Sequence, residues 1–421
     1  MRPPRILFVA MHDSPHTARW IRQLRDSGFE LHLFPIHPFA PIPTLTGVTI
    51  HRPVWRVSPR RLLKHLITNP RAAFQTEEPG ILPLAMPARL EFLLARKRFS
   101  LGAGGADHPA LYGPRVLARL IKELQPDLIH SLEFQHCGYL VLRARELMAG
   151  GPFPKWLGTN WGSDIFYYRR FPDHLRVIKK LLANLDFYSC ECQRDVRLAR
   201  DLGFRGTAMP VFPNTGGFSL EELARLRDLI RPSQRPLIMI KGYQHFAGRA
   251  LSALAALERC GDLLADYRIL VFSPSAGVDQ RVKEMRERLE VDITVMPHAT
   301  HSMMMLLFSC ARLYIGISIS DAISTSMLEA LAHGCFPIQT NTACADEWII
   351  DGRTGFVVPP DDLDLIADRI RRALTDDALV DQAYHENIAV VTERLDRAVL
   401  EQESIKLYRA ILNGTGVPGA G

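Results

Sequence analysis

Short apolar runs alternate with helical patterns along almost the whole chain. The segments between these runs have helical periodicity. In residues 18–26, for example, Trp20, Ile21 and Leu24 share one face of a helix. Strand–helix–strand repetition produces parallel sheets with helices on both faces, and ligands bind at the carboxyl ends of such strands. The pattern therefore predicts an α/β fold of two doubly wound, Rossmann-like domains that face a cleft. The predicted strands are residues 5–10, 30–36, 48–52, 127–132, 155–160, 187–190, 207–212, 236–241, 267–273, 293–297, 312–317, 335–340 and 355–358.

The domain boundary is predicted in the turn-rich segment 213–217, which reads PNTGG. Residues 1–215 and 216–390 are the two predicted domains, and residues 391–421 are predicted to form a C-terminal helix that returns to the first domain. A segment rich in Pro, Arg and Leu, residues 53–110, interrupts the alternation. We interpret its glycine-rich run as a loop, because the run follows no strand and lacks the full dinucleotide-binding fingerprint.

Composition excludes several classes of protein. The 421 residues are 47% hydrophobic and 23% charged, which is typical of a soluble globular chain with two or three domains and excludes a fibre or a disordered chain. No apolar run is long enough to span a bilayer, and the first residues lack the long apolar region of a signal peptide. Seven scattered cysteines indicate a reduced, cytoplasmic protein.

The strongest chemical signal lies in residues 318–330. A helix is predicted to begin just after Asp321 and to end at Gly334. Three hydroxyl residues, 324–326, lie near its start, where free N–H groups and the helix dipole favour a phosphate. Eight residues of helix, about 12 Å, separate Asp321 from Glu329, so the two carboxylates can hold two ends of one long ligand. The alternative is an N-cap aspartate and a surface glutamate.

Two cations are predicted at the carboxyl end of the first strand of the second half. Lys241 ends the strand 236–241, and Arg249 follows eight residues later. A lysine point charge and an arginine fork together suit a diphosphate. The alternative is a pair of surface cations beside a loop.

This region resembles family 4 of the retaining glycosyltransferases, which have the GT-B fold. That family carries an acidic residue, seven intervening residues and then Glu-Ala-x-x-x-Gly-x-Pro-(Val/Ile). Here seven residues separate Asp321 from the segment 329–338, which reads EALAHGCFPI. The segment 347–358, EWIIDGRTGFVV, resembles the family's Glu-x-(Ile/Val)-x-Asp-Gly-x-Thr-Gly. The resemblance covers residues 237–368 closely and the first half loosely, through its opening strand and the segments WGSD and PN.

The resemblance implies a transferase that moves a sugar, with retention, from a nucleoside-diphosphate donor of UDP or GDP type to an unidentified hydroxyl acceptor. It implies that Glu329 binds the ribose hydroxyls and that Asp321 holds the hydroxyls of the donor sugar. Lys241 and Arg249 would neutralise the leaving diphosphate. No carboxylate is placed as a nucleophile, so front-face transfer without an enzyme-bound intermediate is implied. The further donor-binding residues implied at the helix start are Ala322, Ile323, Ser324 and Thr325.

No cofactor or metal ion is expected. Cys190 and Cys192 lie two residues apart, but no second cysteine pair or histidine pair at ligand spacing accompanies them. Asp362 and Asp364 stand just before a predicted helix, where an N-cap explains them better than a metal site does.

The acceptor side is expected in residues 1–215. Four residues fall at the expected carboxyl ends of strands in this half, where they can line an acceptor; loop capping and packing are the alternative. They are His12, His16, Trp161 and Asp164. A further group, Glu133 with His130 and His136, accompanies the strand 127–132. The expected acceptor is a glycan, a lipid-linked molecule or a small molecule, and no nucleic acid is expected.

Charge is uneven along the chain. Residues 1–215 hold 30 Lys and Arg against 17 Asp and Glu, whereas residues 216–421 hold 21 against 28. The excess of positive charge in residues 1–215 indicates an anionic partner for this half of the chain. Uneven charge between domains is also common without a functional cause. The segments 60–67 and 89–99 mix cations with Leu, Ile or Phe. Stretches of this kind can lie on the surface of an anionic membrane, or they can be ordinary helices with a solvated cationic face. A basic cleft that binds a soluble anionic acceptor would also explain the excess of positive charge in the first half.

Two other functional classes remain open from the residues. One is an enzyme of the same fold with a different reaction, either a nucleotide-sugar epimerase or an inverting transferase. The other is a non-catalytic ligand-binding protein built from two similar domains. The acid pair and its helix favour the retaining transferase over the first, and the cysteine usage argues against a secreted binding protein.

Overall fold

The computed structural model describes residues 2–36, 41–52, 81–83, 113–148, 150–213, 216–226, 230–417 and 419 of the chain. The chain divides into two compact units. Unit 1 comprises Met1–Gly216 and Leu400–Gly421, and unit 2 comprises Gly217–Val399. The basic segments 60–67 and 89–99 and the glycine-rich run 101–106 of the sequence analysis lie outside the described residues.

Unit 1 is built on a parallel sheet that has eight strands in the described residues, in the order β4-β3-β2-β1-β5-β6-β7-β8. Strand β1 is central, and its Ile6 lies opposite both Leu31 and Leu128. The strand order reverses on the two sides of β1, so the carboxyl ends of β1 and β5 flank the switch point where such sheets bind ligands. The strands are β1 (Arg5–Ala10), β2 (Glu30–Pro35), β3 (Thr49–Arg52), β4 (Ile81–Pro83), β5 (Leu128–Leu132), β6 (Lys155–Thr159), β7 (Phe187–Ser189) and β8 (Thr207–Ala208).

Unit 2 has a parallel sheet of six strands in the described residues, in the order β11-β10-β9-β12-β13-β14. Strand β9 lies between β10 and β12, with Ile240 opposite Val271 on one side and Ile315 on the other. The predicted class of two parallel, Rossmann-like α/β domains is confirmed. The strands are β9 (Leu237–Lys241), β10 (Arg268–Phe272), β11 (Asp292–Met296), β12 (Ala311–Gly316), β13 (Phe336–Thr340) and β14 (Phe356–Val358).

Helices cover the sheets of both units and bury their apolar faces against the strands. No helix in the described ranges is both long enough and apolar enough to cross a membrane. The helices are α1 (Pro15–Arg22), α2 (Pro114–Leu124), α3 (Tyr139–Leu147), α4 (Pro172–Leu182), α5 (Gln193–Asp201), α6 (Leu220–Leu226), α7 (Ala250–Glu258), α8 (Val278–Leu289), α9 (His301–Ser309), α10 (Thr325–Ala332), α11 (Leu363–Thr375), α12 (Asp377–Arg394) and α13 (Arg397–Asn413).

The C-terminal helix α13 is attached to unit 1 by a buried polar chain. Trp20 Nε1 donates to Tyr408 Oη at 2.7 Å, and Tyr408 Oη lies 2.5 Å from His130 Nδ1. The second ring nitrogen of His130 lies 2.6 Å from Thr159 Oγ1. Burial lowers the pKa of His130 to about 3, so the imidazole is neutral and takes part in this chain as one donor and one acceptor.

Two elements of unit 1 differ from the sequence predictions. Strand β4 lies inside residues 53–110, where the alternation of strands and helices was predicted to break. The sequence did not indicate this strand, because three residues are too few to show periodicity. Strand β8 ends at Ala208 instead of residue 212. Pro210 has no N–H group with which to continue the ladder.

Helix α10 is held at its carboxyl end by a buried arginine and a glycine. Arg235 is 1% exposed, and its guanidinium donates to the carbonyl oxygens of Ile230 (2.9 Å), His333 (2.8 Å) and Ala311 (3.3 Å). Gly334 ends the helix at φ +73°, and a Cβ there would lie 2.0 Å from the Tyr384 ring. Both residues fix the position of α10 relative to β12.

We expect Arg235→Met to lower the free energy of unfolding by about 3 kcal/mol, because buried carbonyl acceptors lose a charged donor. Arg268→Met is the matched control, since Arg268 is 79% exposed in its ion pair with Asp292 and such pairs contribute less than about 1 kcal/mol. Urea unfolding of both variants measures the difference. Equal destabilisation by the two substitutions would contradict this role of Arg235.

Candidate functional site

Lys241 lies at the centre of a polar cluster in unit 2. It is the last residue of β9, and its Nζ donates to Ser324 Oγ at 3.2 Å and lies 3.6 Å from Asp321 Oδ2. The ammonium also lies 4.9 Å from the centroid of the Tyr243 ring. Only 17% of the Lys241 side chain is exposed, against 28% for Asp321. We call Lys241, Asp321 and Ser324 the lysine cluster.

Lys241 is charged at neutral pH despite its burial. Burial is the largest single influence and lowers its pKa, but the Asp321 carboxylate together with Tyr314 and Tyr243 outweighs burial, and the pKa of Lys241 is raised above its ordinary value. The pair as a whole has no net charge, but its ammonium is a hydrogen-bond donor held in place at the carboxyl end of β9, where it can bind an incoming anion.

The start of α10 faces the lysine cluster. Helix α10 begins at Thr325, three residues later than the sequence predicted, because Asp321 Oδ1 accepts from Ala322 N (3.0 Å) and holds a turn ahead of the helix. Ser324 occupies the N-cap position, but its side chain does not cap the helix. Its hydroxyl instead lies 3.2 Å from Tyr314 Oη and accepts from Lys241. The backbone N–H of Met327 donates to Ser324 O at 2.9 Å, so an anion beside Lys241 would meet mainly the N–H groups of Thr325 and Ser326 at the start of the helix.

The predicted donor-binding residues Ala322, Ile323 and Ser324 have buried side chains, and Thr325 is half-buried. A ligand would meet this segment mainly through its backbone.

Arg249 lies at the same edge of the sheet, but its guanidinium faces its own loop. The backbone N–H of Arg249 donates to Ile317 O at 2.9 Å, which joins the loop after β9 to the loop after β12. The guanidinium donates to the carbonyl oxygens of His245 (2.9 Å) and Gly248 (2.7 Å). A Cβ at Gly248 would lie 2.4 Å from Tyr243 O, so this loop is tightly folded around the arginine.

Glu329 lies on α10, two turns after the lysine cluster. Its side chain is 11% exposed, and its Oε1 lies 3.7 Å from Nδ1 of His301, the first residue of α9. One carboxylate, Asp321, therefore lies in the turn before α10, and the second, Glu329, lies on the helix itself.

The structure brings together three of the four residues predicted on the acceptor side. Asp164 is 4% exposed, and its Oδ2 accepts from the backbone N–H of Trp161 at 2.7 Å and of Phe134 at 2.9 Å. The His16 ring packs edge-on against Trp161 with 5.5 Å between centroids. His12 is fully buried in the loop after β1, where its carbonyl oxygen accepts from Ile42 N.

Glu133 and His136 form an ion pair at the carboxyl end of β5. Glu133 Oε2 accepts from the backbone N–H groups of His136 (2.8 Å) and Cys137 (3.2 Å), and its Oε1 lies 3.0 Å from His136 Nδ1. Glu133 has φ +82° and ψ 149°, a backbone conformation that favours glycine and costs about 1–3 kcal/mol elsewhere. A single π-helical turn, Phe134–Gly138, follows it. Strain next to a π-turn is typical of functional sites.

The pKa values of the two neighbouring carboxyl groups are shifted in opposite directions. Burial favours the neutral form of Glu133 and so acts to raise its pKa. The charge of His136 and the hydrogen bonds from His136 and Cys137 outweigh burial together, and the pKa of Glu133 is lowered. Burial and the nearby Glu133 charge raise the pKa of Asp164 well above its ordinary value. Two carboxyl groups whose pKa values are pushed apart by their surroundings can take different acid–base roles. The sequence predicted neither the strain nor this difference, because both depend on tertiary packing.

We expect Glu133→Gln to lower the pKa of His136. Burial pushes that pKa down, but the Glu133 charge and hydrogen bond raise it above 6.5. Removal of the carboxylate removes both of these upward contributions while burial still acts, so the pKa should fall below 6.5. An NMR titration of the imidazole protons measures this, with the His136 signal identified by its absence in His136→Gln. An unchanged titration in Glu133→Gln would refute the pairing.

Part of the second unit matches a known protein family in sequence. Residues 241–376 match a family described as glycosyl transferases group 1. The match begins at Lys241 and includes Arg249, Asp321 and Glu329. No curated protein sequence matches the chain.

Solved structures resemble the whole chain. Sucrose-phosphate synthase from Thermosynechococcus elongatus is 17% identical over 98% of this chain and 100% of its own, with a TM-score of 0.65. Anabaena HepE, in complex with UDP and glucose, is 14% identical over 97% and 100%, with a TM-score of 0.62. The UDP-forming α,α-trehalose-phosphate synthase of Burkholderia vietnamiensis is 16% identical over 98% and 98%, with a TM-score of 0.64. These similarities show the fold, the two parallel-sheet α/β domains of GT-B glycosyltransferases.

Proposed function

We propose that the chain is a glycosyltransferase of family 4 that moves a hexose, with retention, from a nucleoside-diphosphate sugar to a hydroxyl acceptor. The observation that carries this proposal is the lysine cluster at the start of α10, where Lys241 lies beside the first N–H groups of the helix and offers a site for a diphosphate. The family match over residues 241–376 supports it, as does the binding of UDP and glucose by HepE.

The proposed roles follow the positions of the side chains. Lys241 and the first turn of α10 bind the diphosphate and stabilise the charge that develops on it as it leaves. Asp321 and the segment 322–325 bind hydroxyls of the donor sugar, and Glu329 binds the ribose. Arg249 contributes positive charge at the same edge and also shapes the loop after β9 through its bonds to His245 and Gly248.

The proposed reaction exchanges one bond at the anomeric carbon for another. The bond to the diphosphate oxygen breaks, and the acceptor oxygen forms its bond on the same face. The acceptor proton passes to the departing phosphate, so no covalent enzyme intermediate is needed. Preorganised donors aimed at a leaving group contribute about 3–4 kcal/mol each to such a step.

The acceptor is proposed to bind unit 1 near His16, Trp161 and Asp164, which lie together in the structure. We propose a cytoplasmic enzyme, with UDP as the first nucleotide to test. Contact with a membrane surface through residues 60–67 and 89–99 remains a proposal that rests on the sequence.

We expect Lys241→Met to reduce transfer from the donor by about 100–1000-fold, because the leaving diphosphate loses its cation. Lys283→Met is the control: Lys283 is 66% exposed on α8 and lies 3.9 Å from Glu287. Product formation from UDP- and GDP-sugars, followed by mass spectrometry, measures both variants. Epimerised sugar without transfer would point to an epimerase, and binding without turnover to a non-catalytic protein. Full activity of Lys241→Met would overturn the assignment of the site.

We also expect activity to survive chelation of divalent ions, because Lys241 and the helix start neutralise the diphosphate without a metal. Turnover is measured before and after treatment with EDTA, and again after Mg²⁺ or Mn²⁺ is added back. Loss on chelation followed by rescue with metal would show that the proposed charge balance is wrong.

A further inference from the structure

Three arginines surround one aromatic ring in unit 1. The guanidinium carbons of Arg169, Arg170 and Arg194 lie 5.7, 5.8 and 3.9 Å from the centroid of the Phe166 ring. Arg170 also lies 5.1 Å from the centroid of Tyr167. We call Phe166 and these three arginines the arginine cluster.

The loops that carry the cluster are fixed to each other at the carboxyl edge of the sheet. Residues 161–170 follow β6, and Arg194 lies in the first turn of α5, after the adjacent strand β7. Asn160 joins the two loops, since its backbone N–H donates to Ser189 O at 2.9 Å and its side chain donates to Asp195 Oδ2 at 2.7 Å. The cluster therefore belongs to the edge at which parallel sheets bind ligands.

The three arginines of the cluster differ in their acidic partners. Arg194 Nε donates to Asp195 Oδ1 at 2.8 Å, but Asp195 is fully buried and its other oxygen is taken by Asn160. Within the described part of the chain, no carboxylate lies within ion-pairing distance of Arg169 or Arg170.

Ordinary surface arginines of the same unit are paired differently. Arg143 lies 2.9 Å from Glu146, and Arg176 lies 3.1 Å from Asp173, each on its own helix. A solvated basic face would show such local pairs. Arg169 and Arg170 instead approach aromatic faces, which hold guanidinium groups in place without neutralising them.

We propose that the arginine cluster binds a phosphate group of the acceptor substrate. This inference rests on the proposed function and gives the acceptor a chemical class, a phosphorylated one. Guanidinium forks match the oxygens of a phosphate in bidentate geometry, and several forks at one place neutralise its charge. The cluster follows Trp161 and Asp164 along one segment, so a phosphate bound there would hold the rest of the acceptor near these residues.

The test is calorimetric binding of glucose 6-phosphate and inorganic phosphate to the full chain saturated with UDP, so that the lysine cluster is occupied. The variant Arg169→Gln/Arg170→Gln is compared with Arg143→Gln/Arg176→Gln, which removes the same net charge. We expect at least a tenfold loss of affinity in the first variant and none in the second. Melting temperatures confirm folding, and the single variant Arg170→Lys keeps the charge but removes the fork.

A second arm distinguishes the source of the phosphate by sedimentation with phosphatidylglycerol vesicles. Selective loss of glucose 6-phosphate binding in the cluster variant supports a soluble sugar phosphate, whereas selective loss of vesicle binding supports a lipid-linked phosphate. Equal losses in both double variants, or no loss in either, would overturn the proposal. UDP affinity is measured separately: a chain that binds UDP but no phosphate contradicts this inference alone, whereas failure to bind UDP contradicts the proposed function.

Discussion

The parallel pairing of β9 with both β10 and β12 is the constraint on which the unit 2 site depends. This register places the last residue of β9, Lys241, beside the loop that follows β12. An ammonium that is only 17% exposed would be costly there without a partner, and Asp321 and Ser324 supply one. The start of α10 is positioned by the same contacts. A cation and a helix start thus meet at one point, which is the physical basis for binding a diphosphate.

Unit 1 holds its charged groups in a different way. Glu133 is nearly buried in a strained conformation, and the free energy that keeps it there comes from three hydrogen bonds to the following turn. Asp164 next to it orders two loops by accepting from their backbone N–H groups. The arginine cluster lies beyond this buried framework. The arginine-rich edge suits an anionic group of a ligand, because guanidinium groups are gathered there on one aromatic ring.

Much of the fold follows from local patterns. Apolar runs mark the strands of both sheets because parallel strands are buried on both faces. The sequence also placed Glu329 on a helix that follows Asp321, as the structure shows. Strand β4 and the end of β8 were not predictable in this way, since one is too short and the other is ended by a proline. The start of α10 was placed three residues early, because the turn at Asp321 depends on that side chain accepting from Ala322 N.

The sequence by itself determined the class of fold, the region that matches glycosyl transferases group 1, and the residue types of the diphosphate site. Only the tertiary structure decided which groups each of these charged residues contacts. Lys241 faces Asp321 and Ser324, whereas Arg249 turns back onto its own loop. The positive φ of Glu133 and the gathering of three arginines on Phe166 also appear only in the structure. The reason is physical: periodicity reports which side chains are buried, but charge depends on neighbours brought together from distant parts of the chain.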